Sequence, residues 1–239
     1  MPSDTLLAAM LQEAVLALVA LVAVRFAVPD VLKRCTQAVQ QRNTVRFAAI
    51  ALLLTGLIGG TVTLLTWLFA DGGNVSGFVS AALPLAAGLI RNLLLLLGIC
   101  LLTGVYEEAF MRVLGIEAFE RALDTKRAIL ASAALFALLH VGAPDVSAGQ
   151  LVLLQTALKF GQALLFGVIL GALYARTRRL WPCAFIHAGF DILYMAPNVL
   201  LTGTMPETYA SGAVGDTVLL AVSVLMLSGI VLKIRKEIA

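Results

Sequence analysis

Long apolar runs separated by short polar segments fill the sequence from end to end. Each run approaches the ~20 mostly apolar residues that a membrane-spanning helix needs. The runs predict seven spans: about Thr5–Val28, about Phe47–Ala70, a third that begins between Ala81 and Leu93 and ends near Arg112, about Ala128–Val141, about Leu151–Ala175, about Leu180–Leu201 and about Thr217–Leu232. Pro84 interrupts the segment Phe78–Ile90, for which an interfacial helix before the third span is an open alternative. The pattern predicts an all-α, polytopic transmembrane helical bundle.

The basic residues alternate between successive connections. The first, third and fifth connections and the segment after the last run hold or directly flank 14 of the 17 Lys and Arg residues. The alternate segments Met1–Asp4, Asp71–Gly77, Gly142–Gln150 and Thr202–Asp216 hold none. The positive-inside rule then predicts an N-terminus outside and a cytoplasmic C-terminus. This alternation requires an odd number of spans, which supports seven.

The composition excludes several classes of protein. Of 239 residues, 61% are hydrophobic and 13% charged, against ~25% charged in typical soluble domains. An ordinary cytosolic enzyme, a disordered chain and a fibrous repeat are excluded, and one membrane domain over residues 1–239 is predicted, with its motif-bearing core at about 81–201. The compact chain and short loops favour a multi-pass protein of a prokaryotic cell membrane, with the lipid bilayer as its surroundings.

Charge, cysteines and the N-terminus narrow the classes further. The net charge is +3, but the basic residues flank apolar runs, which is typical of topology signals rather than of nucleic-acid binding. Cys35, Cys100 and Cys183 are too few and too scattered for a disulfide framework or a cysteine-based zinc site. The N-terminus lacks the basic region of a cleavable signal peptide, so the first run is predicted to be retained.

Ionisable residues inside spans are costly and are therefore functional candidates. The first cluster is Tyr106-Glu107-Glu108, with Arg112 one turn further on. Glu108 and Arg112 have the i,i+4 spacing of a salt bridge, which leaves Glu107 without a built-in partner. A carboxylate placed in this way suits a general base. The alternative is a pair of ordinary glutamates in a cytoplasmic loop.

The only two histidines, His140 and His187, supply the other clusters. His140 follows Phe136 by one turn, and Asp191 follows His187 by one turn. Such a histidine can bind metal, donate to an oxyanion or have its tautomer set by the aspartate. A structural pair that joins helices is the alternative. Since each cluster lies on a different helical segment, all three could line one intramembrane cleft.

These motifs resemble a known family. Glu-Glu-x-x-x-Arg, Phe-x-x-x-His and His-x-x-x-Asn/Asp on separate spans look like the CPBP (CAAX protease and bacteriocin-processing, or Abi) family of intramembrane glutamic-type endopeptidases. The resemblance covers about Leu93–Leu201. Asp191 occupies the position where the prenyl-protein endopeptidases of the family have Asn, which argues against a eukaryote-like CAAX substrate.

The resemblance implies cleavage of a membrane-anchored or lipid-modified protein or peptide. Glu107 with His140 would activate water, and His187 with Asp191 would stabilise the oxyanion or position the substrate. Because an ionised Asp191 cannot donate a hydrogen bond, it is expected to orient His187 or to act protonated. Glu108, Arg112 and Phe136 would support the site.

The cofactor and the depth of the site stay open at this stage. No cofactor is favoured, although Glu107, His140 and His187 could supply three ligands to Zn²⁺. At ~1.5 Å per residue, His187 lies ~12 Å and His140 ~20 Å from the cytoplasmic edge. If the third span ends near Arg112, Glu107 is shallower than either histidine.

Two other functions compete with proteolysis. Glu107, His140, His187 and Asp191 could form the proton relay of a membrane transporter, although no inverted repeat or matched pair of broken helices is evident. A non-proteolytic immunity or binding member of the same family is the second alternative. Substrate identity and oligomeric state do not follow from the sequence.

Overall fold

The computed structural model describes residues 2–33, 42–70, 86–141, 147–205 and 210–238. The elements are α1 (Pro2–Ala27), α2 (Pro29–Lys33), α3 (Arg42–Ala70), α4 (Ala86–Glu108), a π-helical segment (Ala109–Ile116), α5 (Glu117–Phe119), α6 (Thr125–Val141), α7 (Gln150–Thr177), α8 (Leu180–Thr202) and α9 (Val214–Ile238). Within those ranges there is no strand, and the predicted all-α class is confirmed.

Among the described residues, six helical stretches are long and apolar enough to cross a membrane. They are Thr5–Ala27, Asn43–Thr66, Gly88–Phe119, Gln150–Thr177, Leu180–Leu201 and Val214–Ile234. Helix α6, with 17 residues, corresponds to the remaining predicted span and brings the bundle to about seven. The protein is therefore an integral, multi-pass membrane protein, whose orientation stays a prediction.

The third span extends further than the sequence predicts. Helix α4, the π-helical segment and α5 follow one another without a break, so the apolar stretch runs to Phe119 rather than ending near Arg112. Arg112 does not end the span because its side chain is fully buried inside the bundle. Of the uncertain segment Phe78–Ile90, positions 78–85 lie outside the described residues, and α4 begins at Ala86.

Apolar and polar side chains are distributed as expected for a bundle in lipid. Helix α1 turns large apolar side chains outward, among them Val15 and Phe26. Glu108, Arg112 and His187, in contrast, are buried inside the bundle. Polar groups within a membrane are usually turned toward the interior, where they can find partners. The interior of this bundle is therefore where its chemistry lies.

Helix α8 packs against both α4 and α3, while α6 packs against α7. Gly104 allows α4 to approach α8 closely: a Cβ atom at this position would lie 2.5 Å from the carbonyl oxygen of Ala184. Small residues at such crossings are typical of helix packing in membranes. Gly104 lies about one helical turn before Glu108, and Ala184 lies about one turn before His187. This close approach therefore brings the segments that carry Glu108 and His187 together.

The end of α7 is joined to the end of the third span. Arg178 caps α7 in the left-handed conformation, with φ at 51°. Its guanidinium donates to Glu117 at 3.1 Å and to Glu120 at 2.6 and 2.8 Å. These hydrogen bonds hold the pKa of the Glu120 carboxyl below its usual value. The contact fixes α7 relative to the helix that carries the glutamate pair.

Candidate active site

Glu107 and Glu108 end α4 immediately before the π-helical segment. Turns with i→i+5 hydrogen bonds are rare and often occur at functional sites. The segment has a tertiary hydrogen bond to its backbone, because Ser132 of α6 donates to the carbonyl oxygen of Met111 at 2.5 Å. The irregular helix is thereby held against α6, the helix that also carries His140.

Glu108 and Arg112 form the ion pair that their spacing predicts. Nε of Arg112 lies 3.0 Å from Oε2 of Glu108, and both side chains are 0% exposed. The Arg112 guanidinium carbon also lies 4.7 Å from the centroid of the Phe136 ring. Because neither charge reaches water, each depends on the other and on this aromatic face.

His187 is held by carboxylates at both ring nitrogens. Its Nδ1 lies 2.8 Å from Oε1 of Glu108. Its Nε2 faces Oδ2 of Asp191 at 3.4 Å and Oε2 of Glu107 at 3.6 Å. The expectation that Asp191 orients His187 is therefore incomplete, since the shortest contact comes from Glu108. Both nitrogens can donate at once only in the imidazolium form.

His140 is oriented by its own helix. Its Nδ1 lies 2.9 Å from the carbonyl oxygen of Phe136, which can only accept a hydrogen bond, so Nδ1 carries a proton. In the neutral ring Nε2 is then an acceptor, and it faces Oε2 of Glu107 at 4.0 Å. The ring also packs on Phe136, with 4.1 Å between the centroids.

Glu107 lies between the two histidines. Its Oε1 accepts a hydrogen bond from the hydroxyl of Tyr106 at 3.2 Å, a partner that the sequence analysis did not assign. Its Oε2 is buried and has no hydrogen-bond partner among the described side chains. This oxygen lies 4.0 Å from Nε2 of His140 and 3.6 Å from Nε2 of His187. One carboxylate oxygen is thus fixed, while the other is available for chemistry.

A cavity of about 50 Å³ opens beside these groups. It is lined by Phe136, His140, Lys159, Gln162, Ala163, Phe166, His187, Phe190 and Asp191. The ring of Phe166 packs edge-on against His187, with 4.8 Å between centroids. A cavity of this size with polar side chains in its wall can hold water. The aromatic rings in the same wall lower the polarity around those side chains.

The structure thus brings together residues from all three predicted clusters. It also adds groups to which the sequence analysis assigned no role, among them Lys159 and Gln162 of α7 in the cavity wall. Glu13 of α1 hydrogen-bonds to Thr103 and lies within electrostatic range of Asp191. Lys159 and Glu13 could have been recognised from the sequence, because each is an ionisable residue inside an apolar run.

With the longer third span, Glu107 is no longer shallower than both histidines. Since the helix continues to Phe119, Glu107 lies ~18 Å from its C-terminal end at ~1.5 Å per residue. His140 is placed ~20 Å and His187 ~12 Å from the same side by the same measure. The three side chains meet because of this continuation.

Glu107, His140 and His187, the candidate ligands for a metal ion, each also contact another polar group. Among the described residues, no group of three or more His, Cys, Asp or Glu side chains could hold a metal ion. Oε2 of Glu107 is 4.0 Å from the His140 nitrogen and 3.6 Å from the His187 nitrogen. That His187 nitrogen also faces Asp191.

The central part of the chain matches a known protein family. Residues 89–193 match a family model described as Rce1-like, type II CAAX prenyl endopeptidase Rce1-like. This stretch contains Glu107, His140, His187 and Asp191, and the match confirms the resemblance that the motifs predict. No match was found among curated proteins or among solved structures. The match supports a CAAX-type intramembrane protease in general.

Proposed function

Because the central part of the chain is related to the CAAX protease family, we propose that the protein is an intramembrane endopeptidase. Its substrate would be a membrane-anchored or lipid-modified protein or peptide, and Glu107 would act as its general base. The observation that supports this most directly is the placement of Oε2 of Glu107, 4.0 Å from Nε2 of His140, a residue that lines the small cavity.

The spacing of those two atoms suits a bridging water. Polar contacts longer than a hydrogen bond are often joined by a water molecule. Such a water would donate one hydrogen bond to Glu107 and one to the acceptor nitrogen of His140. Its lone pair would then be directed at a carbonyl group in the cavity. Positioning of this kind, combined with a general base, is the requirement for peptide hydrolysis without a covalent intermediate.

The chemical step balances with these residues. As the water oxygen adds to the scissile carbonyl carbon, one water proton moves to Glu107, and the carbonyl oxygen becomes an oxyanion. Collapse of this intermediate breaks the C–N bond, and Glu107 returns its proton to the leaving nitrogen. His187 and Asp191 would position the substrate around the developing oxyanion, while Glu108 and Arg112 would hold His187 in place.

The test is cleavage of candidate membrane-anchored peptides by the purified protein in detergent or liposomes. Wild-type protein is expected to cleave at least one of them, and Glu107→Ala, His140→Ala and His187→Ala should each lower the rate. Loss of a general base typically costs about 10²- to 10⁴-fold. Glu117→Ala, outside the cavity, serves as the matched control. Wild-type activity in all three site variants would refute the proposal.

Two further arms address the alternatives. We propose a metal-free reaction, so a chelator should leave the rate unchanged; chelator-sensitive activity restored by Zn²⁺ would overturn that point. Proton-coupled flux in liposomes that requires Glu107 and Asp191, without any cleavage, would instead indicate a transporter.

A further inference from the structure

We propose that Lys159 is a further catalytic residue of this site, whose ammonium group donates a hydrogen bond to the oxyanion during peptide hydrolysis. The inference rests on the proposed endopeptidase function and extends it to a residue outside the three sequence motifs. Because an ionised Asp191 cannot donate a hydrogen bond, another group is needed to stabilise the negative charge of the oxyanion.

Lys159 lines the same small cavity as His140, His187 and Asp191. It lies on α7, a helix that carries none of the motif residues. It lies within electrostatic range of Asp191, Glu107 and His140. A cation inside a membrane span is costly to keep, which makes a functional role the first hypothesis.

The lysine is oriented by a chain of hydrogen bonds. Its Nζ donates to Oε1 of Gln162 at 3.0 Å, one turn further along α7. Nε2 of Gln162 in turn donates to the hydroxyl of Tyr194 on α8 at 3.0 Å. Gln162 itself is buried, so this chain fixes the lysine relative to the helix that carries His187 and Asp191. An oxyanion donor is effective when it is held in place before the reaction in this way.

The motif residues are less suited to the task. Asp191 is an acceptor when ionised. His187 directs Nδ1 to Glu108 and Nε2 to Asp191 and Glu107. His140 presents its acceptor nitrogen to the side where water would sit. An ammonium group, with three N–H bonds, is a donor by nature.

The cavity is large enough for the oxyanion of a bound peptide. At about 50 Å³ it has room for a carbonyl group and a few water molecules. A substrate carboxylate bound to Lys159 would have to share this space with the attacking water. The single oxygen of a tetrahedral intermediate needs no additional room, because it is the carbonyl oxygen of the bound peptide.

The test compares Lys159→Met with wild type on a peptide that the wild-type protein cleaves. We expect kcat to fall about 100-fold or more, the usual effect of removing one oxyanion donor, with KM nearly unchanged. Lys159→Arg, which keeps the charge, should retain more of kcat than Lys159→Met. Lys126→Met, at the start of α6 and outside the cavity, is the control and should leave kcat unchanged.

A binding measurement makes the test independent of turnover. A phosphinic peptide of the same sequence carries a tetrahedral, negatively charged centre and cannot be cleaved. Lys159→Met should weaken its binding by about the same factor as kcat, while binding of the intact substrate, measured in the Glu107→Gln background, stays unchanged. If Lys159→Met does not fold, Lys159→Gln is used with the same criteria.

Three outcomes would overturn the inference. Unchanged kcat and unchanged phosphinic-peptide binding would exclude an oxyanion role. A rise in KM alone, with lost preference for a free over an amidated substrate C-terminus, would show that Lys159 binds a carboxylate. An equal loss of binding for substrate and phosphinic peptide would indicate a structural role. If Glu107→Gln retains wild-type cleavage, it is instead the proposed function that fails.

Discussion

Two charged clusters join the third span to later helices, and they do so in opposite surroundings. The inner cluster comprises Glu108, Arg112 and His187, with Glu108 and Arg112 0% exposed and His187 4% exposed. The outer cluster comprises Glu117, Glu120 and Arg178, whose side chains retain 29%, 18% and 31% exposure. Both contain short contacts between opposite charges, yet only the outer cluster can exchange a lost partner for water.

This difference separates two uses of the same residue types. In the outer cluster, water screens the charges and limits the free energy that each contact contributes. In the inner cluster each charge depends on its protein partners, so the positions of the side chains are strictly determined. A catalytic constellation needs such fixed positions, whereas a contact between helix ends does not. Removing one partner from each cluster tests this comparison.

The largest effect is expected for Glu108→Gln. It leaves the Arg112 cation buried without its carboxylate, and losing one partner of a buried pair typically costs about 3–5 kcal/mol of unfolding free energy. The matched change in the outer cluster, Glu117→Gln, should cost at most about 1 kcal/mol. Equilibrium unfolding in detergent micelles measures both. Equal losses in the two variants would contradict the comparison.

A smaller effect is expected at the crossing that holds the inner cluster together. In Gly104→Ala the new Cβ atom would meet the carbonyl oxygen of Ala184, so α4 and α8 must separate. Overpacking of this kind costs about 1–3 kcal/mol, and the cleavage rate should fall with it. Gly229→Ala on α9 is the control, because its Cβ would meet nothing within 4 Å. A stable, active Gly104→Ala protein would show that the close crossing is not required.

The outer cluster should respond weakly to loss of its cation. Arg178→Ala removes the contacts to Glu117 and Glu120, for an expected loss of about 1 kcal/mol. Arg178→Gly removes the same contacts but suits the left-handed backbone, with φ at 51°, so it should be less destabilising. Thermal unfolding of the two variants side by side tests this order. A loss comparable to that of Glu108→Gln would mean that the outer cluster is not screened.

The smallest effect is a pH dependence of the outer cluster. Arg178 lowers the pKa of Glu120 from its ordinary value of 4.5 in the folded protein. The resulting stabilisation is therefore complete above about pH 4.5 and decreases as the pH falls through the lower, folded value. Unfolding measured between neutral pH and that range should show this loss in wild type and less of it in Glu120→Gln. Identical pH profiles would contradict the assignment.

The spans could be predicted well because apolar length is a local property. The third span is the instructive exception. A charge at Arg112 looks like the end of a membrane segment, but Glu108 neutralises it and the Phe136 ring covers it. The i,i+4 spacing predicted the Glu108 partner, but the cover that the Phe136 ring of another helix gives the charge could not be read from the sequence. Burial produced by packing between helices is invisible to a window that reads one helix at a time.

The candidate site also depends on contacts between helices, which spacing along one helix does not predict. Spacing along one helix indicated the Glu108–Arg112 contact and suggested Asp191 as the partner of His187. The shorter contact of His187 is to Glu108, 79 residues away along the chain. Lys159 was recognisable as a charge within a span, but its place in the cavity wall depends on how α7 packs against α6 and α8. Sequence motifs thus indicated the candidate residues and part of their support, but not Tyr106, Lys159 or Gln162.

The π-helical segment after Glu108 also has a consequence for helical phase. Each i→i+5 turn contains one more residue than an α-turn would, so residues beyond Ile116 are rotated about the helix axis relative to their positions in a regular helix. The glutamate pair can therefore face His187 while Glu117 and Glu120 face Arg178. A one-residue deletion between Ala109 and Ile116 would return the segment to a regular helix and force the chain to satisfy one of these faces at the expense of the other.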